Sequence, residues 1–260
     1  MKRKIIFFDI DGTLLSEITG EIPVSAVEAI HKAQRKGHLA VINTGRTWPL
    51  LEKRVQEVGF DAYICGCGTK IVYRNEVLFH QTVADDVIGK VVKALEKYKI
   101  DGILEGDKKL YLNDREKIFS EEWKAFYDRF HKIAGSFQEA GISMDKLYTL
   151  TNPESDLEGF QEELGAWFDF IDRDNGYYEL VPRGFSKASG IRMLTERLGM
   201  SMEDTISIGD SNNDLPMLTA TAVSIAMGVH SEGIHDKVDF ITKTVEEDGI
   251  YYALEHYGLF

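Results

Sequence analysis

The chain has 260 residues, 43% hydrophobic and 28% charged, which excludes a disordered or low-complexity protein and, at ~150 residues per domain, allows one large domain or two. Acidic residues outnumber basic ones 43 to 30, a formal net charge of −13, so long-range repulsion from phosphate backbones and anionic lipid headgroups argues against nucleic-acid or membrane partners. Cys65 and Cys67 are too few and too close for a disulfide framework, no apolar run reaches the ~18 residues of a membrane helix, and Asp9 and Asp11 end the initial apolar run too early for a signal peptide; a cytoplasmic location is expected.

Residues 4–8 read as a short apolar strand of the kind buried on both faces of a parallel sheet. Ser25–Lys36 carries Val27, Ile30 and Ala33 at helical spacing and stops at Gly37, and Leu39–Ile42 is a second buried strand. A helix is predicted over Trp48–Val58, with Thr47 as N-cap and Pro49 in its first turn, followed by a strand at Ala62–Ile64. This β-α-β-α-β alternation predicts an α/β domain with an open, Rossmann-like parallel sheet.

The rhythm then changes. Ile71–Tyr73 and Val77–Gln81 look like a hairpin, Asp85–Tyr98 like an amphipathic helix, and the stretch to Val181 alternates paired short strands with helices near Glu121–Ile133 and Leu157–Trp167. That pattern predicts an inserted α+β module at 84–182, flanked by core segments 1–83 and 183–260. The parallel rhythm resumes with a helix over Ala188–Leu198, a strand at Thr205–Ile208, a helix over Asn213–Leu218 and a strand at Ala222–Ile225. A strand at Phe240–Ile241 and a helix over Gly249–His256 close the chain.

Four motifs carry chemistry. Asp9-Ile10-Asp11-Gly12-Thr13 follows the first buried strand, where ligands of open α/β sheets collect; two acids there repel each other unless a cation or a shared proton intervenes. Asn43-Thr44-Gly45-Arg46 ends the second strand and offers a hydroxyl and exposed backbone N–H to an anion, although Thr-Gly turns before helices are common. Lys187 stands just before a helix and, taken alone, reads as a solvated surface charge. Gly209-Asp210-Ser211-Asn212-Asn213-Asp214 follows another strand with hard oxygen donors suited to Mg²⁺, one of which is expected to cap the next helix.

In this order and combination the four motifs resemble the haloacid dehalogenase-like superfamily, specifically its Cof-type, subfamily IIB sugar phosphatases. The resemblance spans the chain. It implies a core with an inserted C2-type cap, and a Mg²⁺-dependent phosphatase of small phosphorylated metabolites acting through an aspartyl-phosphate. By the same resemblance Asp9 is the nucleophile and Asp11 the general acid/base; Ile10, Thr44, Gly45, Lys187 and Asn213 hold the transferring phosphoryl group. Mg²⁺ is held by Asp9, Asp11 through its carbonyl, and Asp210, with Asp214 in support. Arg46, Glu179 and Arg183 are substrate-selecting candidates. The acid at Asp11 separates phosphatases and mutases from the superfamily's dehalogenases and ion pumps, which need not protonate an alkoxide. Cap placement follows from spacing: one helix fits between Asp11 and Thr44, whereas the interval from Thr44 to Lys187 holds the inserted module.

The chain departs from the family pattern at Cys67-Gly68, where Asn-Gly is common, at Lys187-Ala188, where Lys-Gly is common, and at Met227-Gly228-Val229-His230 in place of Met-Gly-Asn-Ala. None of these touches the nucleophile, acid or metal positions. A phosphomutase on the same scaffold is the alternative reading, and a non-catalytic sugar-phosphate sensor a more distant one, since a sensor needs no nucleophile with a paired acid.

Overall fold

The computed structural model describes residues 2–260. In chain order the elements are β1 Ile5–Phe8, α1 Val24–Arg35, β2 Leu39–Asn43, α2 Lys53–Glu57, β3 Ala62–Cys65, β4 Lys70–Tyr73, β5 Glu76–His80, α3 Asp85–Lys97, β6 Asp101–Glu105 and β7 Leu110–Leu112. There follow α4 Glu121–Phe130, β8 Gly135–Ser136, β9 Lys146–Leu150, α5 Leu157–Leu164, β10 Phe168–Asp172, β11 Tyr177–Pro182, α6 Lys187–Arg197, β12 Thr205–Gly209, α7 Leu215–Ala220, β13 Val223–Ala226, β14 Phe240–Ile241 and α8 Gly249–His256. They divide into two compact units. One comprises the chain up to Arg46, Leu51–Phe79 and Ser186–Phe260; the other comprises Thr47–Leu50 and His80–Phe185.

The first unit is built on a sheet of order β14-β13-β12-β1-β2-β3-β4-β5. From β14 to β3 every pair is parallel, and β4 turns back antiparallel to β3. Strands without polar residues can lie here because both faces are covered. Ile5, Phe7, Leu39, Val41 and Ile64 pack with Ile191 and Leu194 of α6 and Met217 of α7. The alternate residues Ile6, Phe8, Ala40 and Ile42, equally buried, point to the opposite face. Arg74 and Asn75 both take left-handed backbone angles, φ 49° and 67°, so the β4–β5 hairpin closes on a two-residue turn. Glu76 therefore belongs to β5, not to the turn.

The second unit carries a sheet of order β10-β11-β9-β6-β7-β8, antiparallel except for the β7–β8 pair. Val87, Val91 and Leu95 of α3 and Phe160 and Leu164 of α5 cover one face, over Leu104, Leu147 and Leu180. Trp123 of α4 packs with Ile103, Leu112 and Leu150 on the other. Phe168 is in the first of these cores, with Phe170 and Tyr178 against it, while Tyr177 packs with the second.

The helix expected over Trp48–Val58 is interrupted. Trp48–Leu50 forms one 3₁₀ turn, Glu52 is extended at φ −59°, ψ 143°, and only then does α2 begin. Thr47 does not cap the segment: its hydroxyl donates to Glu105 Oε2 at 3.1 Å, within the second unit. Among the described residues, no helix is long and apolar enough to cross a membrane.

Candidate functional site

The parallel register fixes the site. Chain order runs β1, β2, β3 to one side of β1 and β12, β13, β14 to the other, so the direction of progression switches at β1 and β12. Phe8 lies beside Ile208 and Ile42, so Asp9, Asp210 and Thr44 all leave the same carboxyl edge.

Asp9 is 5% exposed. Its Oδ1 accepts a hydrogen bond from Lys187 Nζ at 2.7 Å, and the same ammonium donates to Asp214 Oδ1. Lys187 is itself 2% exposed, so the lysine that reads in isolation as a surface charge is among the most deeply buried cations of the chain. A capping box between Ser186 and Ser189 starts α6 at Lys187, and Asn43 Nδ2 donates to the lysine's backbone carbonyl at 3.0 Å.

The loop after β12 is tied by Asp214. Its Oδ2 accepts from the backbone N–H groups of Asp210 and Ser211 at 2.9 and 3.1 Å; it stands at the N-cap position of α7, but its side chain ties the preceding loop and makes no cap bond to that helix. Asp210 is held from the first motif: Thr13 Oγ1 donates to Asp210 Oδ1 at 2.7 Å. Gly12 has φ +73°, and a Cβ built there would fall 2.6 Å from Asp210 Oδ2, so only glycine lets these loops approach. Thr13 and Asn43 carry no local sign of a role in the site. Only contacts made across the sheet reveal them, since nothing local distinguishes a threonine or asparagine that bonds a residue more than a hundred positions away.

Carboxylate oxygens of Asp9, Asp210 and Asp214 lie within 4.8 Å of one another. Burial pushes the Asp9 carboxyl up to about 7, Asp214 adding to the rise and Lys187 opposing it. Burial likewise pushes Asp210 up to about 8, with Asp9 and Asp214 adding to it. Burial alone would lower Lys187, but Asp214 and Asp9 outweigh it and hold the ammonium charged. Three converging carboxylates against one lysine leave an excess of negative charge, and an all-oxygen donor set of this kind fits a hard divalent cation.

Asp11 occupies a different environment, its side chain 47% exposed. Arg46 grips it with two hydrogen bonds, Nε to Oδ2 at 3.0 Å and Nη2 to Oδ1 at 2.5 Å, and passes its remaining nitrogen Nη1 to Glu52 at 3.0 Å. The Ile10 side chain is fully buried and its carbonyl accepts from Leu14 and Leu15, which leaves its backbone N–H as the group it can offer a ligand. Thr44 is 2% exposed, and its Oγ1 accepts from Arg46 N at 3.1 Å. Gly45 is half-buried beside it. Asn213 Oδ1 accepts from Ser211 Oγ, leaving its amide nitrogen to donate.

Glu179 and Arg183 lie in the second unit. Glu179 is 3% exposed and accepts from Lys146 at 2.7 Å, in a buried set with Glu105. Arg183 is exposed and pairs with Asp169 at 3.5 Å. Elsewhere, Cys65 and Cys67 are both buried and in no disulfide. His230 and His235, five positions apart, meet through stacked rings with a 2.9 Å contact.

Comparison with known proteins finds relatives and solved structures that match over nearly the whole chain. YkrA of Bacillus subtilis, provisionally named a phosphatase, is 29% identical over 100% of this chain and 99% of its own length. The 5-amino-6-(5-phospho-D-ribitylamino)uracil phosphatase YcsE of the same organism is 26% identical, over 98% of this chain and 96% of its own. The solved structure of the HAD subclass IIB sugar phosphatase BT4131 superposes with a TM-score of 0.84 at 26% identity, covering 99% of this chain and 100% of that one. The family model for haloacid dehalogenase-like hydrolases matches residues 6–254. The chain belongs to the haloacid dehalogenase-like hydrolases.

Proposed function

We propose that this hydrolase is a Mg²⁺-dependent phosphatase that cleaves small phosphate monoesters through an aspartyl-phosphate on Asp9. The observation that carries the reading is the contrast between two carboxylates two residues apart. Asp9 is buried against a lysine and two further acids, while Asp11 is half-exposed and held by an arginine. Environments that differ this much suit different roles, here nucleophile and proton carrier.

In the first step an Asp9 carboxylate oxygen forms a bond to phosphorus as the bond to the leaving oxygen breaks, and protonated Asp11 gives that oxygen its proton. In the second, Asp11 takes a proton from water, whose oxygen attacks phosphorus and releases inorganic phosphate from Asp9. Charge accumulates on the phosphoryl oxygens, and positioned donors are the main means of lowering the barrier. Lys187, the Thr44 hydroxyl, the Asn213 amide and the backbone N–H groups of Ile10 and Gly45 supply them in this proposal. Asp9, the Asp11 carbonyl and Asp210 would hold the Mg²⁺, with Asp214 behind them fixing the loop and Lys187. When bound, the ion neutralises charge on the phosphoryl group and on the crowded carboxylates.

Two relatives are named for esters of polyhydroxylated compounds, a sugar phosphate and a phosphorylated ribityl-pyrimidine. We place the substrate in that class, selected by the inserted unit, with Arg46, Glu179 and Arg183 as selecting residues and the protein acting in the cytoplasm. Phosphate release from a panel of such esters, with and without Mg²⁺, tests the reading. Release of inorganic phosphate that disappears with EDTA is expected; isomerised ester without phosphate would identify a mutase, and no turnover of any ester would refute the proposal.

A further inference from the structure

We infer that Asn43 is a positioning residue for Lys187: its side-chain amide anchors the first residue of α6 to the end of β2, so that the ammonium meets Asp9. The inference rests on the phosphatase reading above and goes beyond it by giving a task to a residue that touches no reacting group.

Asn43 is the only polar residue in β2, Leu-Ala-Val-Ile-Asn, and it is fully buried. Its Nδ2 donates to the Lys187 backbone carbonyl at 3.0 Å, while its Oδ1 is buried with no hydrogen-bond partner among the described residues. A buried acceptor left unsatisfied costs stability relative to an apolar side chain of similar size, so stability does not explain an amide here. Nor does the bond rescue an orphan. The carbonyl of a helix's first residue normally accepts from the N–H four residues on, and a second donor is not required. What the bond does accomplish is geometric.

Lys187 Nζ must reach both Asp9 and Asp214, which lie on loops after different strands. A small displacement of the first turn of α6 breaks one contact or the other. The turn is already confined on another side. A Cβ at Gly68 would fall 2.7 Å from the Ser186 carbonyl, and one at Gly190 would fall 2.4 Å from Ile64 Cγ2, so α6 rests on β3 and its following loop without slack. Asn43 fixes the same turn to the neighbouring strand β2, at the residue before Thr44. The lysine is thus held through its backbone, which leaves its charge for the carboxylates and the phosphoryl group.

The test is a double-mutant cycle on Asn43→Leu and Lys187→Met, read as phosphate release from nitrophenyl phosphate together with the thermal midpoint. Asn43→Leu is expected to lower kcat by roughly tenfold to 100-fold, the scale of a ~1 Å misplacement, with KM changed much less and the midpoint unchanged or raised. In protein already carrying Lys187→Met it is expected to have no further effect, since its action passes through the lysine. If that background turns over too slowly to read, the cycle is run on inorganic phosphate affinity by calorimetry. Asn43→Ala serves if the leucine variant does not fold. Wild-type kcat in the single variant, or losses that multiply independently in the double, would overturn the inference. Wild-type activity in Lys187→Met alone would instead overturn the phosphatase reading on which it rests.

Discussion

Replacing Lys187 by methionine keeps the length of the side chain and removes one charge from a place water does not reach. The lysine, Asp9 and Asp214 side chains are 1%, 7% and 0% exposed, and both contacts are charge-assisted hydrogen bonds. Deleting one member of such a set leaves the others uncompensated, at a cost of about 3–5 kcal/mol. The cost depends on pH with a definite sign. The folded state holds protons on Asp9 and Asp210 up to about pH 7 and 8, whereas the unfolded chain releases them in the ordinary carboxylate range. Stability of the metal-free protein therefore falls as pH rises through that window. Without the ammonium, Asp9 keeps its proton to higher pH still. Lys187→Met is thus expected to lose more stability near pH 9, where Asp9 is ionised, than at pH 5.5, where Asp9 is protonated, with EDTA present at both. The assay is urea denaturation followed by far-UV circular dichroism, because Trp48, Trp123 and Trp167 all lie in the second unit and their fluorescence would miss the first. An equal loss at both pH values would mean that the lysine contributes packing and not charge, and no loss at pH 9 would refute the electrostatic account of the site.

Asp11→Asn should slow the leaving-group burst severely for an alkyl phosphate and much less for nitrophenyl phosphate, whose phenolate departs without a proton; equal slowing in single-turnover experiments would assign Asp11 to structure. Thr13→Val removes the 2.7 Å bond that orients Asp210, and should raise the Mg²⁺ concentration for half-maximal activity by roughly 10–100-fold, as loss of an outer-shell partner does; an unchanged Mg²⁺ titration would contradict this. His38 accepts the Lys4 backbone N–H on Nδ1 and is buried, and burial, with nearby positive charge, lowers its pKa from 6.5. Below pH 6.5 the unfolded chain then binds a proton that the folded one refuses, so stability should fall with acidification by at most ~1.4 kcal/mol per pH unit. His38→Asn should remove that share of the pH dependence, and an identical slope in the variant would refute it.

The parallel core was legible because its strands are short, buried and mostly apolar, and three of them end at chemically loaded turns. Asp9, Thr44 and Asp210 follow β1, β2 and β12 directly, and strand periodicity with parallel pairing is enough to gather them at one edge. Lys187 was legible only through the whole-chain resemblance. A lone lysine before a helix carries no local sign of burial, and its two carboxylate partners lie far away in sequence. The break between Trp48–Leu50 and α2 escaped for a related reason. Local propensity favoured one continuous helix, but the Thr47 hydroxyl goes to Glu105, far along the chain, instead of capping, and the extended Glu52 pairs with Arg46 and Arg54 on either side of it. The grip of Arg46 on Asp11 was equally invisible, being a contact between the ends of two different strands.

The central claim is that Asp9 itself becomes phosphorylated. Acid quench of the enzyme within the first turnover, followed by peptide mapping of the trapped phosphoryl group, tests it most directly. The account predicts phosphate on the peptide bearing Asp9, labile at neutral pH and missing from Asp9→Asn protein, which should also release no phosphate. Full turnover with the phosphoryl group on another residue, or in protein carrying Asp9→Asn, would contradict it.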